Sequence, residues 1–217
     1  GSVTNAAGTP LHLFKEGPGL QILAGANTYT GTTSVNAGTL ALQVAGSIQN
    51  SSRLDVNSGG IFDVTAIAAS STSVTNLIMA GGTINIGGKQ FVVSSANLSA
   101  GNGTVNGSLG TESIRFQVGV GNDYTASGLV FTNWTDGVDL ITIQGNASDN
   151  SLTGTTRADR INGDGGNDAI AGLGGDDTIS GGFGFDNLDG GAGNDTNDFT
   201  FYNGAVQWNM ATGVTTF

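Results

Sequence analysis

The sequence predicts an all-β chain: a parallel β-solenoid that runs into a tighter β-roll and ends in a capping β-hairpin. Three observations lead there. A strict nine-residue period runs from Gly145 to Asp198. A looser period of 21 to 23 residues runs through the first half of the chain. The composition is rich in Gly, Thr, Ser, Val and Asn, with 38 glycines among 217 residues, two prolines and no runs at helical spacing. Such a chain favours many short strands joined by polar turns. The expected divisions are 1–144 for the solenoid, 145–198 for the roll and 199–217 for the cap, with no linker between them, so one continuous rod is expected.

The upstream repeat is carried by glycine–x–aliphatic triplets: Gly38-Thr39-Leu40, Gly59-Gly60-Ile61, Gly82-Thr83-Ile84 and Gly103-Thr104-Val105. Gly17-Pro18-Gly19-Leu20 fits one step earlier with a one-residue slip. Val35, Val56, Met79 and Leu98 precede the triplets. Strand–turn–strand units of this length bury their aliphatic side chains against the coil above and below. Between 111 and 144, Ile114, Phe116, Val118 and Val120 alternate as in a strand. Leu129-Val130-Phe131 and Leu140-Ile141-Thr142-Ile143 read as two more strands, with a turn at 133–137.

The nine-residue segments read GNASDNSLT, GTTRADRIN, GDGGNDAIA, GLGGDDTIS, GGFGFDNLD and GGAGNDTND. Each opens on glycine. The sixth position is Asn150, Asp159, Asp168, Asp177, Asp186 and Asp195. The eighth is Leu152, Ile161, Ile170, Ile179 and Leu188, before the pattern lapses at Asn197. One inward aliphatic flanked by small residues suits a very short strand, and the glycine-rich stretch can turn with φ > 0. Two segments make one coil, so equivalent loops recur every 18 residues. Asp159, Asp177 and Asp195 then stack on one side, and Asn150, Asp168 and Asp186 on the other.

Stacked aspartates repel unless a cation lies between them. Residues 145–217 carry a net charge of −8, out of −11 for the whole chain. A hard cation such as Ca²⁺ takes roughly six to eight oxygen ligands, which carboxylates and backbone carbonyls can supply. The expected ligands are Asp159, Asp168, Asp177, Asp186 and Asp195. They are joined by the carbonyls of Gly163, Gly165, Gly172, Gly174, Gly181, Phe183, Gly190 and Ala192. Three or more ions are expected, with folding coupled to binding. Asp177 has a stacked neighbour on each side, so its loss is expected to cost most. Ser148 and Arg157 replace the glycine at position four in the first two segments, and Asn150 replaces the first aspartate, so that end is expected to be metal-poor.

The segment 145–198 resembles the RTX, or haemolysin-type, calcium-binding repeats of secreted bacterial proteins. Four consecutive segments keep both glycines, at Gly163/Gly166, Gly172/Gly175, Gly181/Gly184 and Gly190/Gly193. Upstream, Gly25-Ala26-Asn27-Thr28-Tyr29-Thr30-Gly31-Thr32-Thr33, followed by Val35 and Gly38-Thr39-Leu40, resembles the passenger-associated repeat of bacterial autotransporters and large surface adhesins. That resemblance covers about residues 13–45, with weaker continuation to about 110. It implies a right-handed β-helix displayed outside the cell. Asn27 is expected to cap a turn and Tyr29 to pack.

The terminal segment 199–217 carries Phe199, Phe201, Val206, Trp208 and Met210 around Asn203-Gly204, the pattern of a hairpin that covers an open coil. A sugar-stacking surface on Trp208 and Tyr202 is the alternative. Catalysis finds little support. His12 is the sole histidine, in the expected strand 11–14, and Glu16 and Glu112 are the only glutamates. Hydrolase histidine pairs and phosphate loops with lysine are both missing. A sequence pI near 4.1 argues against nucleic acid as a partner. With no cysteine there are no disulfides or thiolate metal sites. No stretch is apolar enough to insert in a membrane or to act as a signal peptide, and Gly1-Ser2 reads as a cloning remnant on a fragment of a longer protein.

The functional expectation is a non-enzymatic, calcium-stabilised structural segment of a secreted or surface-displayed bacterial protein: an adhesin stalk, surface-layer or biofilm-matrix element. Surface or matrix glycans and self-association are the further partners considered. The alternative is a carbohydrate-binding module of a secreted polysaccharide-modifying enzyme, for which Arg157 and Arg160 are the basic residues nearest the roll.

Overall fold

A computed structural model describes residues 3–6, 9–96, 98–99, 101–108, 110–119, 123–199 and 206–209, without the side chains of 95–96, 98–99 and 206–209. Among the described residues every regular element is a strand, and successive coils pair in parallel. The chain forms a parallel β-solenoid. It divides into two compact units, one of Gly1–Ser94, Gly101–Ile114 and Leu129–Thr135, the other of Ser95–Ala100, Arg115–Gly128 and Asp136–Phe217.

In the first unit, the strands pair in the order Leu13–Lys15, Thr33–Val35, Leu54–Asn57, Leu77–Asn85, Gly60–Ile67, Gly38–Val44 and Leu20–Leu23. The long strand Leu77–Asn85 turns at Gly81, where φ is +83°. Its first half pairs with Leu54–Asn57 and its second half with Gly60–Ile67. Gly101–Asn106 then pairs with it and with Leu129–Thr132. Side chains one coil apart stack into columns. Val35, Val56 and Met79 form one column, and Leu40, Phe62, Ile84 and Val105 another, all buried.

Three register details differ from the sequence expectation. Gly60, not Gly59, lies opposite Gly38, so Phe62 joins the Leu40 column and Ile61 is only half-buried. The reason is the turn at Gly59, where φ is +83° and the chain reverses before the strand begins. Leu98 leaves the Met79 column and pairs with Tyr124, while Gly101 takes the place opposite Met79. Leu20 pairs with Thr39 and stays exposed, since its strand is the sheet edge. His12 precedes its strand, and its Nδ1 accepts the Thr32 N–H at 3.0 Å.

Asn27 and Tyr29 are buried by local bonding. The Asn27 amide donates to the Gly25 and Ser47 carbonyls, both at 2.9 Å, and its oxygen accepts the Val3 N–H at 2.7 Å. One side chain thus ties a turn to the next coil. The Tyr29 hydroxyl lies 2.6 Å from Thr33 Oγ1, which donates to Ser51 Oγ at 3.0 Å. Lys15 is buried by donating to the carbonyls of Glu16, Gly17 and Ala37 at 2.7–3.0 Å.

In the second unit, the strands Asp123–Thr125, Ser151–Thr153, Ala169–Ala171, Asp186–Asp189 and Val206–Asn209 pair in that order. Leu140–Asn146, Asp159–Asp164, Thr178–Ser180 and Thr196–Asn197 form a second ladder. Leu152, Ile170 and Leu188 stack in the first; Ile143, Ile161 and Ile179 stack in the second, all buried. The described part of the terminal segment, Val206–Asn209, pairs parallel with Asp186–Asp189 and so adds a rung to the sheet. Phe201, Tyr202, Asn203, Gly204 and Met210 of the expected hairpin lie outside the described residues, as does Val120 of the expected strand upstream. One aliphatic side chain per nine residues contributes roughly 1.5–3 kcal/mol on burial. Ordering each backbone residue costs about 1–2 kcal/mol. Burial alone therefore does not hold the roll together.

Candidate metal centre

The period of 18 residues brings the sixth-position side chains into two columns, and all are buried. Four of the five aspartates reach back one coil. Asp168 Oδ1 accepts the Asn150 N–H at 2.8 Å, and Asp186 Oδ1 accepts the Asp168 N–H at 2.9 Å. In the other column Asp177 Oδ1 accepts the Asp159 N–H at 2.8 Å, and Asp195 Oδ1 accepts the Asp177 N–H at 3.0 Å. A second ladder at the fifth position runs the opposite way. There Asp149 Oδ1 accepts the Asn167 N–H, Asn167 Oδ1 the Phe185 N–H, and Asp176 Oδ1 the Asn194 N–H, at 2.7–2.9 Å.

The other carboxylate oxygen decides the chemistry. Oδ2 of Asp168, Asp177 and Asp186 is buried with no hydrogen-bond partner among the described residues. It lies over the glycine that opens its own segment. A Cβ on Gly163 would meet Asp168 Oδ2 and the Gly181 carbonyl; on Gly172 it would meet Asp177 Oδ2 and the Gly190 carbonyl. A Cβ on Gly181 or Gly190 would meet Asp186 or Asp195 Oδ2. Glycine therefore leaves room for a carboxylate oxygen and a carbonyl oxygen to converge from successive coils. At the third position Gly165 bridges to Phe183 and Gly174 to Ala192. The Ala192 carbonyl also accepts the Gly175 N–H at 2.9 Å.

A buried carboxylate oxygen without a donor costs several kcal/mol unless a cation compensates it. The donors here are oxygens only, which suits a hard divalent ion. Among the described residues no three Asp, Glu, His or Cys side chains surround one point. An ion would thus be held by one or two carboxylates with backbone carbonyls, as the sequence expectation has it. Those carbonyls and Asp168, Asp177, Asp186 and Asp195 would be its ligands, and the ion would supply the positive charge that the stacked loops lack.

The loops fall into two classes, divided where Ser148 and Arg157 replace the fourth-position glycine. In the last four segments the second residue has positive φ: Asp164 +78°, Leu173 +79°, Gly182 +94° and Gly191 +90°. So has the fourth, Gly166, Gly175, Gly184 and Gly193, at +101° to +144°. Asn146, Ser148, Thr155 and Arg157 of the first two segments stay in the ordinary region. There Asp159 Oδ2 accepts the Thr155 N–H at 2.6 Å, and the Thr155 hydroxyl lies 3.1 and 3.2 Å from the two carboxylate oxygens. Asn150 Oδ1 likewise accepts the Asn146 N–H at 2.8 Å. At the second position the sequence signal is only partial, with glycine at Gly182 and Gly191 but Asp164 and Leu173 in the other two loops.

Burial, above all, pushes the Asp159 and Asp168 carboxyls up to about 7 and the Asp177 carboxyl up to about 8. Each raised value means that the fold binds a proton which the unfolded chain, near 3.8, releases. Without metal, the stabilisation from these protons is full below about pH 4 and lost as pH rises through 7–8. Calcium competes with the protons on Asp168 and Asp177, so its affinity rises over the same window. Circular dichroism in chelator should show more roll structure at pH 5 than at pH 8, while the calcium midpoint falls with rising pH. A midpoint independent of pH would contradict the burial of these carboxylates.

Comparison with known proteins agrees with both repeat resemblances. Residues 13–42 match the passenger-associated-transport-repeat family. Residues 144–179 and 171–196 match the RTX calcium-binding nonapeptide repeat family. The chain is similar to a protein of Brucella suis biovar 1 described as the adhesin BmaC autotransporter, at 31% identity over 97 residues. That stretch is 45% of this chain, which spans 3% of the length of that relative. No solved structure matches the chain.

Proposed function

We propose that this chain is a non-enzymatic, calcium-stabilised structural segment of a secreted bacterial surface protein of the adhesin kind. The observation that carries the reading is the set of three buried aspartate oxygens without a donor among the described residues, on Asp168, Asp177 and Asp186, the first two facing a glycine carbonyl of the next coil. The two repeat families and the adhesin autotransporter relative support display outside the cell. Its partners there are calcium and, by the same reading, surface or matrix glycans. Extracellular calcium modules bind on the order of 10⁻⁴–10⁻³ M. Such an affinity leaves the roll open in the calcium-poor cytoplasm and closes it after export, so the site acts as a folding switch.

Calcium titration followed by circular dichroism and ion counting tests this. At least three ions should bind, with a gain in β-signal that chelator reverses. Identical spectra and melting curves with calcium and with chelator would sink the reading.

A further inference from the structure

We infer that the first coil of the roll, residues 145–162, takes no calcium and folds without it. Thr155 does there what the ion does in later coils. The inference rests on the reading of the roll as a calcium binder and concerns where that binding begins.

Four observations support it. First, Asp159 is as buried as Asp168 and Asp177, yet neither of its oxygens lacks a donor. The Thr155 backbone N–H and hydroxyl both point at its carboxylate. The hydroxyl also accepts the Arg157 N–H at 3.0 Å, which fixes the loop on its own backbone. Second, Asn150 holds the equivalent place on the other side as a neutral amide. It is bonded to Asn146 within its own loop, so no buried charge arises there. Third, the backbone differs in kind. The second-position N–H of Asn146 and Thr155 faces the sixth-position side chain, whereas φ is positive at Asp164, Leu173, Gly182 and Gly191, and the Asp164 and Gly191 N–H groups donate instead to Asn162 and Asp189 Oδ1. Donor N–H and open carboxylate oxygen are alternatives set by one peptide orientation. Fourth, the strand Asp159–Asp164 pairs backwards along its length, from Ile141↔Asp159 to Asn146↔Asp164, but forwards only over Arg160–Asn162. Its hold on the preceding coil does not wait for the next one.

The metal-independent coil then presents the Asn150 and Asp159 N–H groups, already placed for Asp168 and Asp177 of the following coil. It is a finished template against which the first calcium loop closes.

Hydrogen exchange of the full chain, read by mass spectrometry with calcium and with chelator, tests this. In chelator, amides of Leu152 and of 160–163 should stay within a fewfold of their calcium-loaded rates. Those of 170–171 and 178–180 should speed up by about a hundredfold or more, as local unfolding predicts. Uniform loss of protection across 145–197 would overturn this inference and leave the calcium reading standing. Retained protection everywhere would overturn both. Asp159→Asn should leave the number of bound ions at saturating calcium unchanged, and a lower count would equally overturn it. Thr155→Val keeps the N–H but not the hydroxyl. It should speed exchange at 160–163 in chelator by about tenfold, the size of one hydrogen bond, without changing the ion count.

Discussion

Asp177→Asn should make the roll more ordered in chelator and less ordered in calcium. The side chain sits in the middle of its column. Its Oδ1 accepts the Asp159 N–H, its own N–H donates to Asp195 Oδ1, and its Oδ2 has no donor among the described residues. Asparagine keeps the acceptor and the shape but removes the buried charge. Without metal that charge opposes folding, so its loss helps. With metal that charge is the ligand, so the calcium midpoint should rise by about tenfold to a hundredfold, at least the range seen when merely supporting groups of metal sites are lost. Asp177→Ala goes further, because the Asp159 N–H then loses its acceptor inside the roll at a cost of about 1–3 kcal/mol. Parallel calcium titrations of the three proteins read out all of this. Two variants indistinguishable from the parent protein in both conditions would rule out Asp177 as a ligand.

Gly184→Ala should prevent the roll from closing even in saturating calcium. Gly184 has φ +141°, which side chains rarely adopt, and a Cβ there would run into the Gly166 carbonyl one coil back. That neighbour is backbone in a hydrogen-bonded stack and cannot move aside alone. Gly59→Ala is the matched control. Its φ is +83°, but nothing lies within 4 Å of the added atom, so only the left-handed penalty of about 1–2 kcal/mol applies. Thermal melts in calcium should show a modest shift for Gly59→Ala and loss of the roll transition for Gly184→Ala. Equal, small shifts would mean that close coil packing does not constrain this site.

Much of this was legible in the sequence because the roll is a repeat. Once Asp168 and Ile170 are placed, residues 18 apart must occupy equivalent positions, and the columns follow without further information. The upstream solenoid was less legible. Its coils tolerate bulges, and the turn at Gly59 moved the inward position from Ile61 to Phe62. The division of the loops was legible at the fourth position, where Ser148 and Arg157 replace glycine, but the peptide orientation at the second position was not, since it depends on the donor set around the carboxylate. Thr155 looked like one more small polar residue until its N–H and hydroxyl were found on Asp159. Leu173 holds a left-handed position that glycine fills at Gly182 and Gly191, which hides the rule that joins them.

The two opposed ladders limit how such a chain can change length. Every rung joins residues 18 apart, one set reaching back from aspartates and the other forward from the residues before them. Inserting or deleting a single residue in any segment would put out of reach each aspartate whose partner lies across the change. Removing nine would carry each column to the opposite face. Yet every sixth position still meets another sixth position 18 residues away, because both columns carry the same bond, so gain or loss in this region keeps its donors and acceptors matched when it comes in whole segments of nine.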